Sequence, residues 1–123
     1  MTIESKRILV IDDEKEFCFL LAEYFTEKGY SVGLAYDGED GIAKTKSFEP
    51  DIIILDMRMP VIDGPQVINQ VRKFCNALII CVSAIKAQET IDECLKLGAS
   101  EYIFIPINLE ELERATESTF KRR

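Results

Sequence analysis

Three aspartates are the residues of this sequence best placed to do chemistry. Asp12 and Asp13 directly follow an apolar run at 8–11, and Asp56 directly follows another at 52–55. Like charges repel, and a pair of carboxylates ~4 Å apart costs about 4 kcal/mol at an effective dielectric of about 20. Protons or a cation must relieve this repulsion. Because the chain contains no histidine, an all-oxygen site suited to Mg²⁺ or Mn²⁺ is the expected outcome.

The elements that would position these acids follow from two alternating sequence patterns. Short runs rich in β-branched and aromatic residues alternate with amphipathic helical segments. Three of the runs are continuously apolar, which is typical of strands that are buried on both faces of a parallel sheet. The predicted strands cover residues 7–11, 31–35, 51–55, 77–82 and 102–105.

The helical segments have recognisable ends. Gly29 and Gly98 are expected to terminate the first and fourth helices, and Pro50 closes the second. Asp63 with Gln66, and Asn108 with Glu111, are spaced as capping boxes for the third and fifth helices. The predicted helices lie around residues 17–25, 42–48, 64–74, 87–97 and 109–120.

Five successive β-α units predict a doubly wound (βα)5 fold, a flavodoxin-like three-layer α/β sandwich. Its parallel sheet is expected in the order 2-1-3-4-5. Five units do not close an eight-stranded barrel. Ligands in open sheets bind outside the carboxyl ends of the strands where the strand order reverses. Because strands one and three are neighbours in this order, Asp12, Asp13 and Asp56 are expected to share one crevice.

Each acid also has a plainer interpretation. One of Asp12 and Asp13 would suffice to cap the first helix, whose amino end favours negative charge. Asp56 alone would be an ordinary loop aspartate. The common crevice favours the metal-site interpretation for all three.

Composition limits the class of protein. A length of 123 residues predicts a single domain over residues 1–123. The net charge of −7 argues against a nucleic-acid-binding surface. No apolar stretch approaches the ~20 residues of a membrane span, and the N-terminus lacks a signal-peptide pattern. The four cysteines include no CxxC pair, so a structural zinc site is not expected and a reducing cytoplasm is favoured.

The motifs together resemble the receiver domain of two-component response regulators, over essentially the whole chain. They are Asp12-Asp13, Asp56, Pro60, Gly64, Ser83-Ala84, Gly98-Ala99 and Tyr102. The resemblance implies a phosphorylation switch, in which Asp56 accepts a phosphoryl group from the phosphohistidine of a sensor histidine kinase or a phosphotransfer protein.

The resemblance also implies a ligand set for Mg²⁺. Asp13, Asp56 and the main-chain carbonyl of Met57 would bind the ion directly, and Asp12 would act mostly through water. Such a domain is a signalling module rather than an enzyme, apart from its own phosphorylation and slow dephosphorylation. An ionised carboxylate attacks without a general base, which is consistent with the absence of histidine.

Two further residues would transmit the signal if the resemblance holds. Ser83 would hydrogen-bond a phosphoryl oxygen, and Tyr102 would turn inward and remodel the face formed by helix 4, strand 5 and helix 5. The plainer alternatives are a strand-end serine and an ordinary strand aromatic. A downstream protein or an output domain outside this chain would receive the signal, and a homodimer is left open.

One position departs from the family pattern. The residue before Pro106 is a lysine in receiver domains and pairs with the acceptor carboxylate, but here it is Ile105. Arg58 or Lys86 could supply the missing cation, although each could equally be a solvated loop charge. The Ile105-Pro106 bond could also retain the cis peptide that the family tends to have there.

Two other functions remain open at this point. The domain could be a phosphorylation-independent, receiver-like interaction module with a vestigial crevice. It could also be a phosphohydrolase with an aspartate nucleophile at Asp12, although such enzymes commonly carry a DxD motif and here the acids are adjacent.

Overall fold

The computed structural model describes residues 6–121, which form five β-α units. Residues 1–5, the first half of the N-terminal segment assessed above for a signal peptide, and residues 122–123 lie outside the described part. The strands are β1 Arg7–Ile11, β2 Ser31–Ala35, β3 Ile52–Asp56, β4 Leu78–Ser83 and β5 Glu101–Phe104. The helices are α1 Lys15–Glu27, α2 Gly38–Phe48, α3 Gly64–Val71, α4 Gln88–Leu97 and α5 Leu109–Lys121.

All strand pairs are parallel, and the sheet has the order β2-β1-β3-β4-β5. This confirms the predicted topology. The three continuously apolar runs form the three central strands, β1, β3 and β4, which are buried except at Arg7 and Asp56. The edge strand β5 has no fully buried residue.

Successive residues of the central strands face opposite sides of the sheet, as strand geometry requires. Leu9, Ile53 and Ile79 pack beneath α2, α3 and α4. Ile8 and Ile52 pack beneath α1 and α5 on the other face. Two apolar cores therefore hold the helices and leave the carboxyl ends of the strands in register at one edge.

Several predicted ends differ from the structure. The second helix begins at Gly38 rather than at residue 42, because the Asp37 side chain accepts the main-chain N–H of Asp40 and caps a turn whose composition resembles a loop. The third helix ends at Val71, short of residue 74. Strands β3 and β4 each begin and end one residue later than predicted, whereas β5 begins and ends one residue earlier.

The predicted caps mostly form. Asp63 and Gln66 make a reciprocal capping box at the start of α3. The Asn108 side chain accepts the main-chain N–H of Glu111 at 3.2 Å and caps α5. Gly29 and Gly98 adopt positive φ angles of 98° and 117° at the ends of α1 and α4.

The Ile105-Pro106 peptide bond is cis. Within residues 6–121, no helix is both long and apolar enough to cross a membrane.

Candidate metal centre at the carboxyl edge of the sheet

The structure brings Asp12, Asp13 and Asp56 together. One carboxylate oxygen from each lies within 4.8 Å of the others. Asp12 is buried, with 5% of its surface exposed, whereas Asp56 is half-buried and Asp13 is exposed. A small ligand can therefore approach from solvent and meet Asp13 and Asp56 first.

The sheet and two short turns fix these side chains. Strands β1 and β3 are neighbours, so Ile11 lies opposite Leu55 and the acids that follow them share an edge. The main-chain N–H of Glu14 donates to the Asp12 carboxylate at 2.9 Å. The main-chain N–H of Arg58 donates to the Asp56 carboxylate at 3.2 Å.

The electrostatics of the crevice favour an added positive charge. Burial raises the pKa of Asp12 to about 7, and the charges of Asp56 and Asp13 add to this effect. Burial, followed by repulsion from Asp13 and Glu14, raises the pKa of Asp56 to about 6. Ionising the whole cluster is therefore unfavourable near neutral pH unless a cation compensates the charge.

The donor set fits a hard divalent cation. Converging carboxylate oxygens are the ligands that Mg²⁺ prefers, and the exposed side of the crevice leaves room for the waters that Mg²⁺ retains. The carboxylates are held together before a metal binds, and their mutual repulsion adds to the effect of burial on the pKa values of Asp12 and Asp56. A bound cation would lower both pKa values.

Met57 and Gly64 shape the adjoining loop. The main-chain carbonyl of Met57 accepts the N–H of Gly64 at 3.2 Å, and a carbonyl oxygen has a second lone pair for another partner. A Cβ added at Gly64 would lie 2.8 Å from the Met57 Cα. Only glycine therefore allows the loop to pass this close to the Met57 main chain.

Ser83 and Tyr102 are in contact with each other beside the crevice. Ser83 is buried at the end of β4, and its oxygen accepts the main-chain N–H of Ile85 at 3.0 Å. The Tyr102 hydroxyl donates to the carbonyl of Ile85 at 2.9 Å, and burial raises the pKa of Tyr102 although a hydrogen bond from Ser83 lowers it. The Ile85 carbonyl as a partner of Tyr102 was not foreseen, since no side-chain pattern marks a main-chain acceptor.

The position of the missing lysine is filled by an exposed apolar side chain. Ile105 is 38% exposed. Among residues 6–121, neither Arg58 nor Lys86 forms an ion pair with the aspartates. The ammonium of Lys86 instead lies 5.6 Å from the centre of the Phe104 ring.

Comparison with known proteins agrees with this geometry. A profile of the response regulator receiver domain matches residues 8–117. The transcriptional regulatory protein PrrA of Mycobacterium leprae is 32% identical over 98% of this chain and 52% of its own length. The chain thus spans about half the length of the curated relatives it matches.

Solved structures show the same fold. A two-component response regulator from Clostridium difficile superposes with a TM-score of 0.92 at 30% identity, covering 96% of this chain and 98% of that one. A chain of the CheX-CheY-BeF3-Mg complex from Borrelia burgdorferi superposes with a TM-score of 0.88 at 29% identity, covering 94% of this chain and 89% of that one.

Fold, acidic site and profile define a phosphorelay signalling module. The chain belongs to the response regulator receiver domain family. Domains of this family bind Mg²⁺ at an acidic aspartate cluster and interact with histidine kinases and output domains.

Proposed function

We propose that Asp56 is the phosphoacceptor of this receiver domain, with residues 1–123 forming a single switch. The observation that carries the proposal is the position of Asp56, half-buried at the end of β3 with its carboxylate beside those of Asp12 and Asp13. Asp56 is the one acid of the three that is both accessible from solvent and part of β3, the central strand that pairs with β4. Ser83 lies at the end of β4.

The donor is a phosphohistidine of a sensor histidine kinase or a phosphotransfer protein. A carboxylate oxygen of Asp56 attacks phosphorus, an O–P bond forms and the P–N bond breaks. The bonding electrons stay with the imidazole nitrogen, which is then protonated. Asp56 needs no base for this attack, because it reacts in its ionised form.

Asp12, Asp13, Asp56 and the Met57 carbonyl would hold Mg²⁺, with Mn²⁺ as the alternative. When bound, the ion neutralises the charge that accumulates on the transferring phosphoryl group. Asp12 and Asp13 contribute negatively charged oxygens that are already oriented toward the cation position before the phosphoryl group arrives. Because burial places the pKa of Asp12 near 7, this contribution strengthens above neutral pH.

The signal then passes through Ser83 and Tyr102. If the Ser83 hydroxyl moves to bind a phosphoryl oxygen, it must change its hydrogen bond with Ile85, which Tyr102 also contacts.

The receiving face comprises α4, β5 and α5. It displays Leu95, Phe104 and Ile105 with 45%, 42% and 38% of their surfaces exposed. A downstream protein or an output domain that follows this chain would bind there, in the cytoplasm, and a second copy of the chain is a further candidate.

The phosphorylation-independent module is less well supported, because the acidic site and its loop are retained. A phosphohydrolase with Asp12 as nucleophile is disfavoured by the burial of that side chain and by its hydrogen bond from Glu14.

Intact-mass measurement after incubation with acetyl phosphate tests the proposal. We expect one added phosphoryl group with Mg²⁺, none after the metal is chelated, and none for Asp56→Asn. Asp51→Asn is the matched control, since Asp51 lies at the amino end of the same strand, where it accepts the N–H of Arg7. A wild-type protein that binds Mg²⁺ but gains no mass would overturn the proposal.

A further inference from the structure

Hydrogen bonds to Asp12 hold the turn that carries Asp12 and Asp13. The N–H of Asp12 donates to the carbonyl of Ala35 at 3.0 Å, and its carboxylate accepts the N–H of Glu14 at 2.9 Å. Its main-chain carbonyl accepts the thiol of Cys18 at 3.3 Å. The bonds with Ala35 and Glu14 use main-chain atoms of the partner, whereas the bond with Cys18 depends on the partner's side chain.

The bond from Cys18 affects more than Asp12 itself. The carbonyl of Asp12 and the N–H of Asp13 belong to one planar peptide group, so a donor on that carbonyl also sets the direction in which the chain enters Asp13. The Asp13 side chain is exposed, and within residues 6–121 its carboxylate forms no hydrogen bond or ion pair. The position of this carboxylate therefore depends on the main chain that carries it.

Cys18 lies in the first turn of α1 and is fully buried. Its main-chain N–H donates to the carbonyl of Glu14 at 3.1 Å, which is the ordinary helical bond to the residue four positions earlier. The thiol instead reaches Asp12, which precedes the helix. A buried carbonyl that loses its donor raises the free energy of the folded protein. Without the thiol, the turn would therefore have to move or leave this carbonyl unpaired.

We infer that Cys18 is a positioning residue of the candidate metal centre. Its thiol holds the peptide group between Asp12 and Asp13 in the orientation that lets both carboxylates converge with that of Asp56. The inference rests on the proposed metal site and adds to it a residue of the apolar core that contacts no cation. The competing interpretation is a purely structural role, in which Cys18 only packs in the core that it shares with Leu21.

Substitutions at Cys18 separate these two roles. Cys18→Ser keeps a hydrogen-bond donor, whereas Cys18→Val supplies apolar volume without a donor. A purely structural role predicts that all folded variants bind Mg²⁺ alike. A positioning role predicts that serine preserves the affinity and that valine lowers it, even where valine gives the more stable protein. Cys18→Ala is a second donor-free variant, so that the bulk of valine is not mistaken for the loss of the donor.

Titration of the metal-free protein with Mg²⁺ at one fixed pH tests the inference, with the amide NMR shifts of Asp13 and Met57 as the readout. We expect Cys18→Val and Cys18→Ala to bind roughly tenfold more weakly than the wild type, since residues that orient metal ligands affect affinity on this scale. Cys18→Ser should bind as the wild type does. Leu21→Val is the matched control, because Leu21 is equally buried in α1 but carries no donor. It should lower the stability measured by urea unfolding and leave the affinity unchanged.

A second measurement needs no metal. The ¹³C resonance of the Asp12 carbonyl moves upfield when that carbonyl loses a hydrogen bond, and we expect this change in Cys18→Val but not in Cys18→Ser. Wild-type Mg²⁺ affinity in both donor-free variants, an equal loss in the serine variant, or an unchanged carbonyl resonance would each contradict the inference alone. If the wild type itself bound no Mg²⁺, the proposed metal site would fail and this inference would fail with it.

Discussion

The hydroxyl of Tyr102 donates a 2.9 Å hydrogen bond to the main-chain carbonyl of Ile85. The Ser83 oxygen accepts the main-chain N–H of the same residue, Ile85, at 3.0 Å. Strand β5 and the loop after β4 are thereby joined next to Asp56. This small network is the physical connection between the acidic crevice and the face formed by α4, β5 and α5.

Tyr102→Phe should uncouple that connection while leaving the acceptor site intact. Loss of one hydroxyl hydrogen bond costs about 1 kcal/mol of stability. We expect Mg²⁺-dependent beryllofluoride binding to persist, and the accompanying NMR shifts in α4 and β5 to shrink markedly. Tyr24→Phe is the matched control, because its hydroxyl bonds Glu113 at 2.6 Å, on the opposite face of the sheet. If Tyr102→Phe and Tyr24→Phe reduced the NMR shifts in α4 and β5 equally, the Tyr102 hydroxyl would not be the connection between the crevice and that face.

Ile105→Lys should restore a cation to the crevice. A charge-assisted hydrogen bond to Asp56 is worth about 1.5–3 kcal/mol, so we expect the pKa of Asp56 to fall from about 6. Coupling between the acceptor site and Tyr102 should strengthen. Carboxyl ¹³C titration and beryllofluoride-induced shifts measure the two effects.

Ile105→Met is the control for that experiment, since it supplies length without charge. If Ile105→Lys and Ile105→Met gave the same Asp56 pKa and the same beryllofluoride-induced shifts, Arg58 or Lys86 would already be supplying the cation in solution.

The metal-free protein should lose stability as the pH rises. The pKa of Asp12 is about 7 in the folded protein and 3.8 as a model value, so the folded state holds a proton that the unfolded state releases between these values. Stability therefore decreases through that interval. Urea unfolding at several pH values measures the decrease, and Mg²⁺ should offset it at pH ~7.5 by binding the ionised, folded form.

Asp12→Asn should reduce this dependence and leave the part contributed by Asp56, whose pKa burial raises to about 6. The amide keeps an oxygen for the Glu14 N–H but carries no charge, so we expect a gain on the order of 1–2 kcal/mol at pH ~7.5 without metal and a smaller effect of Mg²⁺. Asp92→Asn, on the exposed side of α4, should show neither change. If the free energy of unfolding of Asp12→Asn fell with pH as steeply as that of the wild type, the proton held by the folded state would belong to another group.

The loop beside Asp56 stores backbone strain at Val61. This residue has a φ of 70°, its side chain is 93% exposed, and the N–H of Ile62 bonds the carbonyl of Pro60 at 2.8 Å around it. A positive φ is costly for a β-branched residue, and this tight turn is rare and strained. Val61→Asn should raise the free energy of unfolding by roughly 1 kcal/mol, whereas Val61→Thr should not. Equal stabilities would show that the loop relaxes.

Much of the fold could be predicted from pattern alone, because it depends on side-chain hydrophobicity. Continuous apolar runs identified the central strands, and the position of Asp13 and Asp56 after two of them followed from the strand order. The early start of α2 was missed because the cap at Asp37 precedes two glycines and two acids, a composition typical of a loop.

The parts of the site that could not be predicted depend on main-chain atoms and on distances across the fold. Nothing in the sequence marks the carbonyl of Ile85 as the acceptor for Tyr102. Lys86 could be proposed as a substitute cation, but its place over the Phe104 ring could not.

Chemical mapping of the phosphoryl group tests the central claim most directly. Borohydride reduces an acyl phosphate and converts the modified aspartate to homoserine, which marks the acceptor permanently. Trypsin places Asp56 on peptide 47–58 and both Asp12 and Asp13 on peptide 8–15, and fragmentation separates Asp56 from Asp51. After treatment with acetyl phosphate and Mg²⁺, homoserine should occur at residue 56 alone. Homoserine at residue 12 or 13, with residue 56 unchanged, would contradict the account.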